Sequence, residues 1–294
     1  MEEINLKKFL AIISTITMLS FVGCSSQGVK NNVNASIKKE LKVTYLNVGQ
    51  GDSELVEVNG KTMLIDAGPN SNANELVKDL KERGIKTIDI AIATHPHEDH
   101  IGGMDEVLEN FDVKSFYAPK VAHTTKTYEN MLKAIKNEGI KLKQIKEGTK
   151  LDLGKGVDIE VYTPVKSSYD DLNNYSPIMK ISYGKTAFMF TGDAEKEAEQ
   201  EALKEHKNLK ANVLKLGHHG SNSSTSEPFL KAVDPSIAIV SCAKNNKYGH
   251  PHKETMTKLK NSKVKVYETF KDGDITITSN GKSLGVTLHS ENTN

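Results

Sequence analysis

The sequence predicts an α/β protein in which two β-sheets pack face to face with helices on their outer sides. Many short apolar or alternating runs indicate strands, a few segments have the helical period, and the two kinds do not alternate strictly. No linker interrupts the chain after residue 40, so we expect a single domain over residues 41–289 of the 294. A chain of this length can bury a full hydrophobic core.

The strand prediction depends on runs rich in β-branched and aromatic residues, bounded by Gly, Asn, Asp or Pro. They cover residues 41–48, 53–58, 61–65, 88–93, 113–117, 157–162, 178–183, 186–190, 213–216, 237–240, 263–267 and 275–278. Apolar residues at helical spacing predict helices over residues 74–83 and 127–138, and residues 194–207 are predicted to form a charged, mostly exposed helix. Gly84 supplies a stop signal for the first helix.

One loop is unusually rich in metal ligands. Residues 94–103, THPHEDHIGG, follow the strand run 88–93 and bring His95, His97, Asp99 and His100 close together. Neutral imidazoles and carboxylates are ligands that Zn²⁺ and Mn²⁺ accept. Histidines two apart, followed by an adjacent Asp-His pair, give two ligand sets that can face two metals. The alternative is a polar loop with chance histidines, but an ordinary loop has no reason to carry so many ligands.

Ionisable residues also follow other predicted strands. Asp66 ends one strand run, Asp193 follows residues 188–192, and His218 follows residues 213–217. Residues at strand exits beside glycines are what a cleft along one edge of a sheet requires. For Asp66 two roles stay open: it can orient metal ligands from behind, or it can cap the turn at residues 66–69.

The N-terminus predicts export. Lys7 and Lys8 precede an apolar stretch, residues 9–22, that is too short to span a membrane comfortably and ends in FVGCSS. Residues 1–23 thus resemble a bacterial lipoprotein signal peptide, which implies lipidation of Cys24 and a domain anchored on the extracellular face of the cell membrane. An uncleaved anchor helix is the alternative and also implies export. Residues 24–40 are polar and predict a flexible tether, and residues 290–294 a tail.

Cysteine usage and charge limit the functional classes. If Cys24 carries lipid, Cys242 has no disulfide partner, and its position after an apolar run indicates a buried thiol. The formal net charge of +1 argues against a basic surface all round, so binding to a polyanion needs a local patch. A basic run supplies one, or else a solvated helix face: lysines 244, 247, 253, 258, 260, 263, 265 and 271.

A series of motifs, taken in order, resembles the metallo-β-lactamase-fold hydrolases, and specifically the branch represented by the soluble nuclease-like domain of the DNA-uptake protein ComEC/Rec2. The resemblance covers residues 41–288. It rests on LNVGQGDS at 46–53, IDAG at 65–68, the histidine loop, NNYS at 173–176, TGD at 191–193, HHGS at 218–221 with STS at 224–226, and NKYGHP at 246–251.

This resemblance implies a four-layer αββα sandwich with a dinuclear site, holding Zn or Mn, at its edge. A water shared by the two metals, with its pKa lowered, would be the nucleophile. The implied metal ligands are His95 and His97 for the first ion, Asp99, His100 and His218 for the second, and Asp193 as the bridge. The catalytic candidates are Asp99, Asp193 and His219.

Residues 173–176 depart from many binuclear hydrolases of this fold, which have a further histidine in this stretch. With fewer protein ligands, the first metal should bind more weakly, use substrate oxygens or favour Mn²⁺ over Zn²⁺. That favours phosphodiester chemistry over β-lactam hydrolysis, because phosphate oxygens can complete the metal shell. Asn174 and Ser176 are therefore candidate substrate-binding residues.

Two further loops are candidate substrate sites. The turn at residues 220–226, with Ser221, can cradle a phosphate, or it can cap a helix that begins near residue 227. Tyr248 and His250 can stack on or hydrogen-bond a base or leaving group. His250 can instead bind a metal or simply form a turn.

The sequence hypothesis is an exported, lipid-anchored, metal-dependent hydrolase that cleaves phosphodiester bonds in nucleic acid or a nucleotide. The membrane would be contacted through the lipid alone, and the resemblance implies DNA-uptake proteins as partners. The alternatives are another hydrolase of this fold, such as a lactonase, thioesterase or β-lactamase, and a surface DNA-binding module with a structural metal.

Overall fold

Two β-sheets form the frame of the domain in a computed structural model, which describes residues 40–206 and 208–289. The first sheet has eight strands in the order β16 (Leu284–His289), β15 (Asp274–Ser279), β1 (Leu41–Tyr45), β2 (Glu54–Val58), β3 (Lys61–Ile65), β5 (Ile90–Ile92), β7 (Phe116–Ala118) and β8 (Leu142–Gln144). The second has six, in the order β14 (Lys265–Glu268), β13 (Ile237–Val240), β12 (Val213–Lys215), β11 (Thr186–Phe190), β10 (Met179–Tyr183) and β9 (Val157–Val161). A small parallel pair joins β4 (Thr87–Ile88) to β6 (Asp112–Val113).

Alternate side chains along each strand face opposite sides of the sheet, one toward the centre of the sandwich and one toward the outer helices. In β3, Met63 and Ile65 lie in the core between the sheets, whereas Leu64 faces the outer side. In β11, Phe188 and Phe190 lie in that central core and Met189 faces outward. Successive side chains of a strand point to opposite faces, so strands that are apolar throughout are covered on both sides.

Helices cover both outer faces. Eight helices are present in the described chain: α1 (Ala73–Glu82), α2 (Glu98–Ile101), α3 (Met104–Asn110), α4 (Lys126–Asn137), α5 (Lys196–Glu205), α6 (Glu227–Val233), α7 (Lys253–Asn261) and α8 (Thr269–Asp272). The apolar faces of α1, α3 and α4 pack on the first sheet, and those of α5, α6 and α7 pack on the second. The predicted four-layer αββα sandwich is therefore confirmed.

The predicted elements differ from the structure mainly where local contacts outweigh hydrophobic pattern. The run 88–93 is divided into β4 and β5 at Asp89, whose N–H donates to the Thr62 carbonyl while its carboxylate accepts from the Thr62 N–H. The edge strands β8 and β16 were not predicted: β8 has three residues and is largely exposed, whereas β16 does carry alternating apolar residues, of which Leu284 and Val286 pack on the central core. The buried position predicted for Cys242 is confirmed, and burial raises the pKa of its thiol to about 12.

The predicted signal peptide, nearly all of the tether, the lipidation site Cys24 and the tail lie outside the described residues. Within the described residues, none of the helices combines the length and the apolar character that crossing a membrane requires.

Strand direction brings the candidate site together. β3 and β5 are parallel neighbours in the first sheet, and β11 and β12 are parallel neighbours in the second. The carboxyl ends of parallel neighbours meet at one edge of a sheet. Asp66, His95, Asp193 and His218 follow these four strands and gather at that edge.

Candidate metal centre

The histidine loop is held by the short helix α2, which begins directly after His97. His95 Nε2 and His97 Nδ1 lie 2.9 Å apart, so two imidazoles present ring nitrogens to the same point. His100 lies on α2 and is fully buried. The loop therefore places the imidazoles of His95 and His97, before α2, and of His100, on α2, at one centre.

Asp193 lies in the middle of these imidazoles. Its Oδ2 atom is 3.2 Å from His100 Nε2 and 3.9 Å from His95 Nε2. The same oxygen is 3.6 Å from His219 Nε2 and 3.8 Å from His218 Nε2. One carboxylate oxygen thus faces imidazole nitrogens that follow strands of both sheets.

Polar groups hold the imidazoles from behind. The carboxylate of Asp66 lies 2.7 Å from His100 Nδ1 and also accepts the N–H and hydroxyl of Thr94. His219 Nδ1 lies 2.9 Å from the Ser241 carbonyl oxygen. A hydrogen bond to one ring nitrogen fixes the direction of the other nitrogen, as is common behind metal-binding histidines.

The charges at the centre favour a cation. Burial opposes protonation of His100, but Asp193 and Asp66 outweigh it and raise its pKa well above the ordinary value. Burial also opposes protonation of His219, but Asp193 and Asp52 outweigh it and raise the pKa of His219 to about 10. A bound metal ion would replace these protons, so we infer that metal affinity decreases as the pH falls.

Several buried atoms lack hydrogen bonds at this point. Within residues 40–206 and 208–289, Asp193 Oδ1, His100 Nε2 and His219 Nε2 are buried and make none. Asp52, His100, Asp193 and His219 each offer a ligand atom, and these atoms lie within 4.8 Å of one another. Buried polar atoms without partners are costly, and a divalent ion would satisfy them. The residues present therefore fit a metal ion.

The two adjacent histidines are placed differently. His219 is fully buried, and its Nε2 lies 3.2 Å from Asp99 Oδ2. His218 is partly exposed, and its Nδ1 lies 3.1 Å from Glu195 Oε1. Both have left-handed backbone angles, with φ of 48° and 54°, which turn the two rings to different sides. His219, more than His218, occupies the position expected of a ligand beside Asp99.

Two of the predicted substrate-binding residues, Asn174 and Ser176, are engaged within the protein. Asn174 Oδ1 accepts from the backbone N–H groups of Glu195 and Ala198, and Asn173 lines the cleft instead. Ser176 is fully buried, and its hydroxyl accepts from the Asp193 N–H and lies 3.3 Å from His95 Nδ1. It supports metal-centre residues and is closed to substrate.

The turn at residues 220–226 caps a helix, which is the second of the two roles predicted for it. Ser226 caps α6 by accepting from the Phe229 N–H. The backbone N–H groups of Thr225 and Ser226 donate to the carboxylate of Glu199. The Ser221 hydroxyl accepts from the Ser223 N–H. These donors of the turn are therefore engaged by other groups of the protein.

A cleft of about 1060 Å³ opens over the centre. Besides metal-centre side chains it is lined by Lys244, Lys247, Tyr248 and His250. Tyr248 is 51% exposed, and its ring stacks on His250 at a centroid distance of 5.6 Å. Burial and repulsion by His219 and His218 lower the pKa of His250 to about 4, so this ring is neutral.

Sequence reasoning assigned no role to Asp52, Lys215 or Glu195, all of which contact the centre or its neighbours. Asp52 stands in the quoted glycine-rich motif at 46–53 but was given no function. Lys215 interrupts the apolar run VLKL, and a charged residue inside such a run is a signal that could have been used. For Glu195, the neighbouring sequence gives no indication of its contact with His218.

Fold and site together define an αββα protein with a candidate metal centre at the edge of its sheets. Residues 46–244 match the model of the metallo-β-lactamase superfamily, and the chain belongs to this family. The resemblance predicted from the motifs is thus confirmed.

Curated relatives extend this finding. The chain is 33% identical over 257 residues to ComE operon protein 3 of Bacillus subtilis, covering 81% of this chain and 33% of that protein. It is 28% identical over 245 residues to Recombination protein 2 of Haemophilus influenzae, covering 82% and 29%. The chain spans about a third of the length of these relatives.

Solved structures support the fold. Igni18, a metallo hydrolase from Ignicoccus hospitalis, superposes with a TM-score of 0.52 at 19% identity, covering 81% of this chain and 98% of that one. The metallo-β-lactamase fold protein YhfI from Bacillus subtilis gives a TM-score of 0.52 at 14% identity, covering 78% and 96%.

Proposed function

We propose that this domain hydrolyses phosphodiester bonds in nucleic acid or nucleotides, using two divalent ions, Zn or Mn. The observation that carries the proposal is the convergence of four imidazoles on the Asp193 carboxylate beneath an open cleft lined by Lys244 and Lys247. When bound, such ions lower the pKa of water and polarise the phosphoryl group.

The proposed ligands follow the geometry. For the first ion they are His95, His97 and Asp193, and for the second they are Asp99, His100, His219 and Asp193. This replaces His218 by His219 in the ligand set suggested by the sequence, because His219 is buried with its Nε2 3.2 Å from Asp99 Oδ2, whereas His218 is partly exposed. Asp66 would position His100.

The first ion has few protein ligands in this proposal, which is suited to phosphate substrates. Ser176 and Asn173 occupy the stretch where a third histidine is common, and the Ser176 hydroxyl is already engaged by the Asp193 N–H. Substrate oxygens can fill the remaining positions around the ion. An uncharged amide or thioester offers fewer oxygens for this purpose.

Cleft residues would bind and orient the substrate. The His218 imidazole is held by Glu195, and its pKa is raised because Glu195 and Asp193 outweigh the opposing effect of burial. When this ring is protonated, its other nitrogen can donate to a phosphate oxygen. Lys244 and Lys247 would attract the phosphate backbone, whereas Lys258 is engaged by the carbonyl groups of Ser224 and Thr225.

Export, a lipid anchor at Cys24 and a position on the extracellular face are parts of the proposal that rest on the N-terminal sequence. Partnership with DNA-uptake proteins rests on similarity to relatives such as Competence protein ComA of Neisseria gonorrhoeae. A nucleic-acid substrate is consistent with a position outside the cell and with DNA-uptake proteins as partners.

The proposal is tested with a substrate panel. Chelator-treated protein, resupplied with Mn²⁺ or Zn²⁺, is expected to cleave a nitrophenyl phosphodiester and DNA, and to lose this activity when chelator is added again. Nitrocefin, a lactone and a thioester serve as the competing substrates. Preferential turnover of one of those three would replace the proposal by another hydrolase of this fold, and DNA binding without turnover would replace it by a binding module.

Tyr248→Ala is expected to weaken binding of a labelled single-stranded oligonucleotide about 5- to 150-fold, because each base stacked on an aromatic ring contributes roughly 1–3 kcal/mol. Fluorescence anisotropy on chelator-treated protein measures binding without cleavage. Tyr248→Phe, which keeps the ring, should bind normally. Tyr117→Ala is the matched control. Its ring lies 5.1 Å from the Lys143 ammonium, much as the Tyr248 ring lies 5.0 Å from that of Lys247. Tyr117, however, is not part of the cleft. Unchanged affinity in Tyr248→Ala would contradict this role.

A further inference from the structure

An ion pair is buried between the two sheets directly behind the metal centre. Lys215, at the end of β12, places its Nζ atom 2.6 Å from Asp52 Oδ2, and each side chain is only 1% exposed. Removing two charges from water is costly, and apolar residues of similar size often stabilise a core as well or better. The pair is therefore poorly explained by stability alone.

Asp52 also touches residues of the second ligand set. Its Oδ1 atom lies 3.2 Å from His219 Nδ1, and its backbone N–H donates to the Asp99 carbonyl oxygen at 3.2 Å. The preceding Gly51 packs against the same carbonyl, where a Cβ would lie only 2.2 Å from the oxygen. The segment that carries Asp52 is thus fitted closely against the metal loop.

We propose that Asp52 and Lys215 are positioning residues for the second metal ion. Lys215 fixes the Asp52 carboxylate, and Asp52 fixes the imidazole of His219 so that Nε2 faces Asp99 and Asp193. The inference rests on the metal ligands of the proposed function but not on its substrate.

The Ser241 carbonyl limits the expected effect. It lies 2.9 Å from the same His219 nitrogen and is its hydrogen-bond partner, whereas Asp52 makes an ionic contact with that nitrogen, so loss of Asp52 leaves this hydrogen bond in place. Removal of a group that orients a metal-binding histidine typically weakens metal binding 10- to 100-fold. We therefore expect the second equivalent of metal to bind 10- to 100-fold more weakly in Asp52→Asn and Lys215→Met, with the first equivalent unchanged.

Isothermal titration of chelator-treated full-length protein with Zn²⁺ measures both affinities, and Co²⁺ absorption reports the geometry of the occupied sites. Lys180→Met is the matched control. Lys180 lies in β10 of the same sheet, is buried, and pairs with Glu160 at 2.7 Å. We expect Lys180→Met to lower the melting temperature, as Lys215→Met does, without changing metal affinity or the Co²⁺ spectrum.

The double variant Asp52→Asn with Lys215→Met should bind metal as weakly as either single variant, since both act through one contact. Wild-type affinity for both equivalents in folded Lys215→Met or Asp52→Asn would overturn the proposal. If Lys215→Met does not fold, the isosteric Asp52→Asn decides. A protein that binds two ions but cleaves no phosphodiester would refute the proposed substrate and leave this inference standing.

Discussion

His219→Ala is expected to lose one of two bound metal ions and to lower phosphodiesterase activity by about 10³-fold or more, because a metal supplies several kcal/mol of transition-state stabilisation. The His219 Nε2 atom faces both Asp99 Oδ2 and Asp193 Oδ2 in the buried centre. His218→Ala should keep both ions and lose about 10²-fold, the typical cost of removing one donor to the reacting group.

Metal content per chain, measured after dialysis against metal and then against buffer, separates the two histidines. His206→Ala provides a control, since this imidazole lies 3.4 Å from Glu147 and outside the cleft. It should keep two ions and full activity. Loss of an ion from His218→Ala, with two retained by His219→Ala, would restore the ligand set suggested by the sequence.

The contrast between these histidines shows what local sequence can and cannot predict. The loop that gathers His95, His97, Asp99 and His100 was predictable because these residues are close together in sequence. Which of two neighbouring histidines faces the centre depends on the backbone, and two consecutive left-handed residues are rarely signalled by residue type. The spacing of residues in the sequence therefore could not decide whether His218 or His219 is the candidate metal ligand.

Long-range contacts account for the other differences. From sequence alone, the backbone amides of the turn at residues 220–226 are available to bind a phosphate. In the fold, two of these N–H groups donate instead to the carboxylate of Glu199 on α5. The sandwich itself was predictable because apolar patterns report which strand faces are covered. Asp52 and Lys215 come from opposite sheets, and no local pattern indicates that they meet.

The largest expected effect on folding concerns Gly102, at the end of α2. A Cβ at this position would lie 2.1 Å from the backbone nitrogen of Asn70, 2.4 Å from the carbonyl carbon of Pro69 and 2.6 Å from the carbonyl oxygen of Glu98. These are backbone atoms on two sides, so no side chain can move aside. The φ of Gly102 is −59°, so space and not conformation requires glycine here.

We expect Gly102→Ala to lower the free energy of unfolding by about 3 kcal/mol or more and to abolish metal binding, because the segment after β3 must separate from the metal loop. That separation would break the bond from the Ala67 N–H to the His100 carbonyl and displace Asp66, which holds the His100 ring. Gly84→Ala is the control: its φ is +79° and no atom lies near its Cβ, so only the left-handed backbone is penalised, by roughly 1–2 kcal/mol. Urea denaturation and metal analysis of both variants test this difference. Equal stability and equal metal content would mean that the two segments can move apart without disturbing the centre.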